Sequence, residues 1–292
     1  MKVCIVGLGL IGASLAWQLK AKGHTVTGIA RRQETLDLAI SRKVIDKGYV
    51  EVCPSALQVD LVIVALPLEL IVSTILQIEG CLSAPTIVID VGSVKTQIMK
   101  DLETRNLNKT IFVGGHPMAG SEKTGIDNFQ KELFKNKPFI VCYPSIPVRL
   151  KATKIIMELV RELEARYLEL SAEEHDRQVA IISHLPYLMA NILFNLYLKD
   201  EKTLKQVAST GFMDTTRVAH SDPLWGAMVV LMNKQSLIPQ IDAVISSLQS
   251  LKADILTIDP KALFKRFNVD HVNEDPAKIE LIKKWIQEYP KA

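Results

Sequence analysis

Only four cysteines occur in the 292 residues, Cys4, Cys53, Cys81 and Cys142, all far apart. No two form a CxxC pair and none joins a Cys/His cluster of the spacing zinc needs, so no metal site is expected and the thiols read as reduced, mostly buried side chains of a cytoplasmic protein. Net charge is also scarce: 35 Lys and Arg against 32 Asp and Glu leave a formal +3, with the two signs interleaved. That balance gives no footprint for nucleic acid or an anionic membrane surface. Long hydrophobic runs are missing too. The most apolar windows, Leu61–Ile78 and Leu185–Leu198, are interrupted by Pro67 and Glu69 and by Asn191 and Asn195, and both fall short of the roughly 20 residues of a membrane span. No internal repeat or low-complexity tract is visible, so partners must be read from local sites.

What the chain does have is 48% hydrophobic residues, enough to bury a sizeable core, and a length that suggests two domains. Residues 2–6 (Lys-Val-Cys-Ile-Val) read as a buried strand and Ala13–Ala21 as a helix, with Gly7-Leu8-Gly9-Leu10-Ile11-Gly12 between them. In that strand-turn-helix setting GxGxxG is a dinucleotide fingerprint. The first glycine permits the tight turn, the second lets a diphosphate approach the backbone, and the third lets the helix pack on the strand. The same glycines explain the apolar N-terminus better than a signal peptide does.

A second strand, Thr25–Ile29, would end in an acidic residue if it held the ribose of NAD; the chain instead reads Ala30-Arg31-Arg32-Gln33-Glu34-Thr35. Two guanidiniums and a hydroxyl suit a 2'-phosphate, which points to NADP, although a pair of arginines can also simply coat a surface loop. Strands at 61–65, 86–90, 111–113 and 138–142 alternate with helical segments, which predicts a mostly parallel, doubly wound sheet. Ligands then sit beyond the carboxyl ends of the strands. Three loops fall there: Leu66-Pro67-Leu68, Val91-Gly92-Ser93-Val94-Lys95, and Gly114–Gly125, whose His116 is the side chain suited to moving a proton near neutral pH. Ser93 is either a helix N-cap or a hydrogen-bonding group beside a nicotinamide.

A helix over 148–166 and a strand at 167–170 finish the sheet. Beyond Ser171, whose spacing to Glu174 has capping-box form, only helical periodicity appears. The expected division is therefore a Rossmann-type domain over 1–170 and an all-α substrate-binding and dimerisation domain over 171–292. Its apolar helices, 185–198 and 224–251, carry more hydrophobic surface than a small lobe can bury alone, and a homodimer resolves this. In that half, His184 precedes Pro186 inside an apolar helix and reads as a core histidine or a ligand contact. Arg217 follows Asp214 and is suited either to a substrate carboxylate or to an ion pair with Asp214 or Glu122. His24, His175, His220 and His271 are given no role.

Five stretches taken together, Gly7–Gly12, Asp90–Lys95, Gly115–Glu122, Ser183–Pro186 and Gly211–Arg217, resemble the prephenate/arogenate dehydrogenase family of tyrosine biosynthesis over residues 1 to about 260. Arg31-Arg32 is similar to the NADP-using arogenate dehydrogenases of the short bacterial type. The resemblance implies oxidative decarboxylation of a small cyclohexadiene carboxylate, arogenate or prephenate, with hydride passing to NADP. No metal is implied, because aromatisation drives loss of carbon dioxide. It implies that His116 takes the ring-hydroxyl proton, that Ser93 orients that hydroxyl and the nicotinamide, and that Leu66 and Pro67 lie at the cofactor. Arg217 would bind substrate carboxylate, His184 and Ser121 would contact substrate, and Glu122 with Asp214 would form an ionic gate around Arg217. The short C-terminal part leaves no room for an ACT-type regulatory domain, so any tyrosine feedback is expected at the active site.

Two other readings of the same residues stand beside this one. A β-hydroxyacid dehydrogenase would use a lysine on the first long helix after the sheet, where this chain has His184 and only a distant Lys199. A non-enzymatic NADP sensor would keep the glycines and Arg31 but need no His116, Ser93 and Arg217 together. Replacing both arginines (Arg31→Ala, Arg32→Ala) should weaken NADP binding by about 2 to 4 kcal/mol, each charged hydrogen bond being worth roughly 1.5 to 3. NAD binding, measured in the same titration, should change little, and equal losses for both cofactors would contradict the 2'-phosphate assignment.

Overall fold

The computed structural model describes residues 1–120 and 123–257. Eight strands, β1 Lys2–Val6, β2 Thr25–Ile29, β3 Lys47–Tyr49, β4 Leu61–Val64, β5 Thr86–Asp90, β6 Thr110–Pro117, β7 Pro138–Cys142 and β8 Arg166–Glu169, form one sheet in the order 3-2-1-4-5-6-7-8. Every pairing is parallel except β6 with β7. The expected doubly wound, mostly parallel sheet is present, and β3 is an addition: three residues with little apolar character carry no period-2 signal.

Alternation along the strands explains the layers. In β1, Val3 and Ile5 point to one face and Cys4 and Val6 to the other, as a period of two requires. Helices α1 (Leu10–Ala21), α2 (Gln33–Ser41) and α5 (Ile146–Glu162) cover the first face. Helices α3 (Leu68–Cys81) and α4 (Thr96–Glu103) cover the second, joined by Ala172 of α6 (Ala172–Val179) and by Trp225, Met228, Val229 and Met232 of α10 (Pro223–Met232). Burying each such Val, Leu or Ile contributes roughly 1.5–3 kcal/mol.

Compactness divides the chain into residues 1–237 and 238–292, and the helices up to α10 belong to the unit that holds the sheet. After Ser171, whose capping box with Glu174 is formed, α6 continues through a π-helical turn, Ala180–His184, into α7 (Leu185–Leu198). Pro186 has no N–H to offer the carbonyl of Ile182, and a wider turn at this point is the local answer. The continuous helix 172–198 is long and apolar enough to span a membrane by length and composition, longer than the 185–198 window suggests. Its buried polar residues His175, Asp176 and His184, however, are hydrogen-bonded inside the protein.

The short helices α8 (Glu201–Leu204) and α9 (Thr210–Thr216) and a 3₁₀ turn, Arg217–His220, lead to α10. The single helix expected over 224–251 is two: α10 ends at its C-cap Asn233, and α11 runs from Lys234 to Thr257. In the second unit, α11 exposes Ile245, Leu248, Ile255 and Leu256.

One carboxylate ties β6 to the helix behind it. Glu79 near the end of α3 accepts the backbone N–H groups of Asn108, Lys109 and Thr110 at 2.8–3.2 Å. Partial burial opposes its ionisation, but these donors outweigh that and hold its pKa below the ordinary 4.5. A depressed folded pKa means stabilisation that is full above about pH 4.5 and lost as pH falls below it. Glu79→Ala should cost about 1–3 kcal/mol at neutral pH by urea unfolding, and the difference from wild type should shrink in acid.

Candidate active site

The GxGxxG turn leaves β1 at the switch in strand order between β1 and β4. Gly7 has φ +96°, and a Cβ there would lie 2.3 Å from the Ala65 carbonyl oxygen; one on Gly12 would lie 1.9 Å from that of Gly7. A Cβ on Gly9 would meet nothing within 4 Å, so the middle glycine faces open space. Helix α1 begins there, at Leu10-Ile11, with no side-chain cap and no acid in its first turn, which suits the diphosphate of a dinucleotide. Leu8 is buried beneath the turn. Arg31 and Arg32 are exposed just past β2, Arg32 at the N-cap of α2 and Thr35 in its first turn. Leu66 and Pro67 lie between β4 and α3, with Pro67 at the N-cap. These positions fit an NAD-type dinucleotide.

The stretch after β6 differs from the expected loop. β6 pairs with β5 through Val113 and then, from Gly114 to Pro117, with the antiparallel β7, so His116 lies on a strand and not in a flexible turn. Gly115 is where the strand changes partner, and a Cβ there would lie 2.6 Å from the Asp90 carbonyl oxygen. The Lys95 ammonium, fully buried, pairs with the Asp90 carboxylate and donates to the Gly115 carbonyl at 2.9 Å. Asp90 in turn accepts from the N–H groups of Gly92 (2.9 Å) and Gly115 (3.3 Å). Both charges thus have hydrogen-bond partners beyond each other, as a buried ion pair requires.

His116 is half-buried, and its Nδ1 lies 2.8 Å from Nε2 of His175. Nδ1 of His175 lies 2.7 Å from Oδ1 of Asp176. Asp176 also accepts the N–H of Lys95 (2.8 Å) and of Thr96 (2.9 Å), so a side chain of α6 satisfies the first N–H groups of α4. Ser93 is therefore not that helix's N-cap; its Oγ accepts from Trp225 Nε1 at 3.3 Å. Asn233 donates to the Asp176 carbonyl at 2.8 Å and lies 3.1 Å from His184 Nδ1. His184 is buried with no hydrogen-bond partner at Nε2.

Burial holds the His116 pKa well below 6.5, helped by the neighbouring His175, Lys95 and His184. Burial likewise lowers His175, with Asp176 pulling the other way, and takes His184 down to about 4. For Asp176, burial is outweighed by the bonds from His175, Lys95 and Thr96, and its pKa is lowered. The result is a group of neutral imidazoles beside a carboxylate, able to accept a proton.

Among the remaining expected residues, Asp214 on α9 and Arg217 at the head of the 3₁₀ turn are exposed. Their segment leans on α7, where the rings of Phe194 and His220 are 5.3 Å apart. Ser121 and Glu122 lie outside the described residues. His175 and Asp176, given no role from sequence, sit at the centre of the hydrogen bonding. Their signal is spacing: Ala172, His175, Asp176 and Val179 are all buried, at i, i+3, i+4 and i+7 of α6, a stripe on which polar residues stand out.

A neutral, proton-accepting imidazole at the carboxyl ends of a doubly wound sheet is the equipment of a nucleotide-dependent dehydrogenase, and comparison with known proteins places the chain in that class. Residues 15–169 match the family described as prephenate dehydrogenase, nucleotide-binding domain, and residues 171–269 match prephenate dehydrogenase, dimerization domain. The chain belongs to the prephenate dehydrogenase family. It is 32% identical to the prephenate dehydrogenase of Lactococcus lactis subsp. cremoris over 95% of its own length and 76% of that protein's. Among solved structures it is similar to Synechocystis arogenate dehydrogenase (31% identity, TM-score 0.78, 96% and 100% of the two chains). It is also similar to A. aeolicus prephenate dehydrogenase in complex with hydroxyphenyl propionate and NAD+ (28%, TM-score 0.84, 97% and 98%).

Three histidines with lowered folded pKa values make a measurable demand on stability. The unfolded chain takes up protons first as pH falls, so stability is full above about pH 6.5 and declines toward the folded values, by up to ~1.4 kcal/mol per pH unit for each histidine. Urea midpoints should therefore fall steadily from about pH 7 to about pH 5, and a flat profile across that window would contradict the neutral cluster.

Proposed function

We propose that the chain catalyses the NADP-dependent oxidative decarboxylation of arogenate to tyrosine, with His116 as the proton acceptor. The observation that carries this reading is the His116 imidazole, kept neutral by burial and bonded through Nδ1 to His175. That arrangement leaves Nε2 for a substrate hydroxyl.

Gly7–Gly12 would hold the diphosphate, Arg31, Arg32 and Thr35 the 2'-phosphate, and Leu66, Pro67 and Ser93 the nicotinamide side. When bound, the dinucleotide supplies the hydride acceptor. Trp225 Nε1–H can only donate, so Ser93 Oγ accepts from it and keeps its own hydrogen to orient a ligand oxygen. His116 takes the ring-hydroxyl proton as a carbonyl develops. Arg217 pairs with a substrate carboxylate through its two-nitrogen fork, and His184, buried with Nε2 unmatched, supplies a further contact with Ser121. Glu122 and Asp214 gate Arg217. Residues 171–292 build the homodimer, for which the matched dimerization domain and the exposed Ile192, Leu193, Leu196 and Leu198 of α7 are the support. As a biosynthetic enzyme it works in the cytoplasm.

Prephenate is the second reading, supported by the Lactococcus lactis and A. aeolicus relatives; arogenate is supported by Arg31-Arg32 and the Synechocystis structure. Parallel assays of NADP and NAD reduction with arogenate and prephenate test both. Turnover of arogenate with NADP is expected; turnover of prephenate alone selects the second reading, and oxidation of neither overturns the proposal. His116→Asn should lower kcat by about 10²- to 10⁴-fold. Arg217→Ala should raise the substrate KM with NADP affinity unchanged.

A further inference from the structure

Behind His116 stands a line of buried polar groups that proton acceptance alone does not explain. Asp176 is 1% exposed, and its carboxylate receives two backbone N–H groups as well as His175 Nδ1. A carboxylate only accepts, so the hydrogen between them sits on His175 Nδ1. A neutral imidazole has one N–H, which leaves His175 Nε2 bare, and the 2.8 Å contact with His116 Nδ1 then requires the hydrogen on His116 Nδ1. His116 Nε2 is thereby the bare nitrogen.

We propose that His175 and Asp176 are positioning residues for the proton transfer: they hold His116 with Nε2 free, and His175 receives the proton that His116 Nδ1 gives up. The proposal rests on the reading of His116 as proton acceptor. In the step, the substrate O–H bond breaks and its proton bonds to His116 Nε2. The His116 Nδ1–H bond breaks and that proton bonds to His175 Nε2. His116 ends neutral with its hydrogen on the other nitrogen, and His175 ends as an imidazolium against the Asp176 carboxylate. Only protons move among these side chains.

The surroundings favour that end state. The groups facing His175 are His116 on β6, Lys95 and Asp90 on the loop and end of β5, Asp176 on its own helix, and His184 one π-turn on. Cys142 on β7 lies near Asp176 with its thiol pushed up to about 12, chiefly by burial, and so stays neutral. Lys95 and Asp90 are paired with each other, which leaves Asp176 as the net charge of the cluster. Positive charge placed on His175 is therefore matched one bond away, and on His116 it is not.

Nitrogen-15 NMR of the imidazoles in the full chain reads the tautomer without substrate. The Nδ1–H form of His116 is expected in the wild type and in His175→Gln, whose amide can accept from His116 and donate to Asp176, and its loss is expected in His175→Leu. An Nε2–H form in the wild type overturns the proposal. In kinetics with whichever ring substrate the wild type oxidises, His175→Gln keeps the hydrogen bonds but not the proton acceptor. Its kcat should fall about 10-fold, and that of His175→Leu about 100-fold, with KM within about twofold. Asp176→Asn should move the acid limb of kcat/KM to lower pH, because the carboxylate that favours the protonated pair is gone. Unchanged kcat and pH profile in His175→Gln, the variant closest to native packing, overturns the relay even if the other two fold poorly. If the wild type oxidises neither substrate, the functional reading fails, while the NMR arm still decides the tautomer.

Discussion

The Asp176 carboxylate is the constraint on which the rest of the site depends. It lies inside the protein with three donors from two segments: the imidazole beside it on α6, and the N–H groups of Lys95 and Thr96 where α4 begins. A buried charge stripped of even one partner costs several kcal/mol, so the three donors must stay where they are relative to one another. Because Lys95 reaches from the same loop to Asp90 and to the Gly115 carbonyl, the backbone next to His116 is fixed by the same set. Helix α6, the end of β5 and the outer half of β6 are thus tied by one set of hydrogen bonds, and the spacing of Ser93 on its loop and His116 on its strand depends on that set.

Much of the fold was legible because its strands repeat every two residues and its helices every three or four. The glycine turn was legible because each of its glycines answers to a backbone constraint that is visible locally. The parts that escaped are long-range. His116 is 59 residues from His175, and Lys95 is 81 from Asp176; nothing in either neighbourhood names the other. His175 follows a capping box among charged residues, which reads as a solvated first turn, although it faces inward. Gly114, Gly115 and Pro117 read as loop residues by type, but in β6 they are where a strand changes partner, and Gly115 is needed for close approach. Asn233 breaks a helix that apolar periodicity alone carries through, and its amide serves the Asp176 carbonyl and His184.

The π-turn at 180–184 matters to the same geometry. His175 and Asp176 before it and His184 at its end are all buried, and the wider turn lets one helix turn both groups inward while Pro186 costs no interior hydrogen bond that was not already displaced. A helix whose composition suits a membrane is instead anchored by its polar residues, which shows how little composition says once a few side chains have partners.

The burial of Lys95 has a consequence for covalent chemistry. Amine-reactive reagents need a free, uncharged amine and a path to it, and this ammonium has neither: it has no solvent exposure and is bonded to a carboxylate and a carbonyl. Among the described lysines, most of them on the surface, this one takes up label only when β5, β6 and α6 come apart, so the extent of its acylation is a clock for opening of the site.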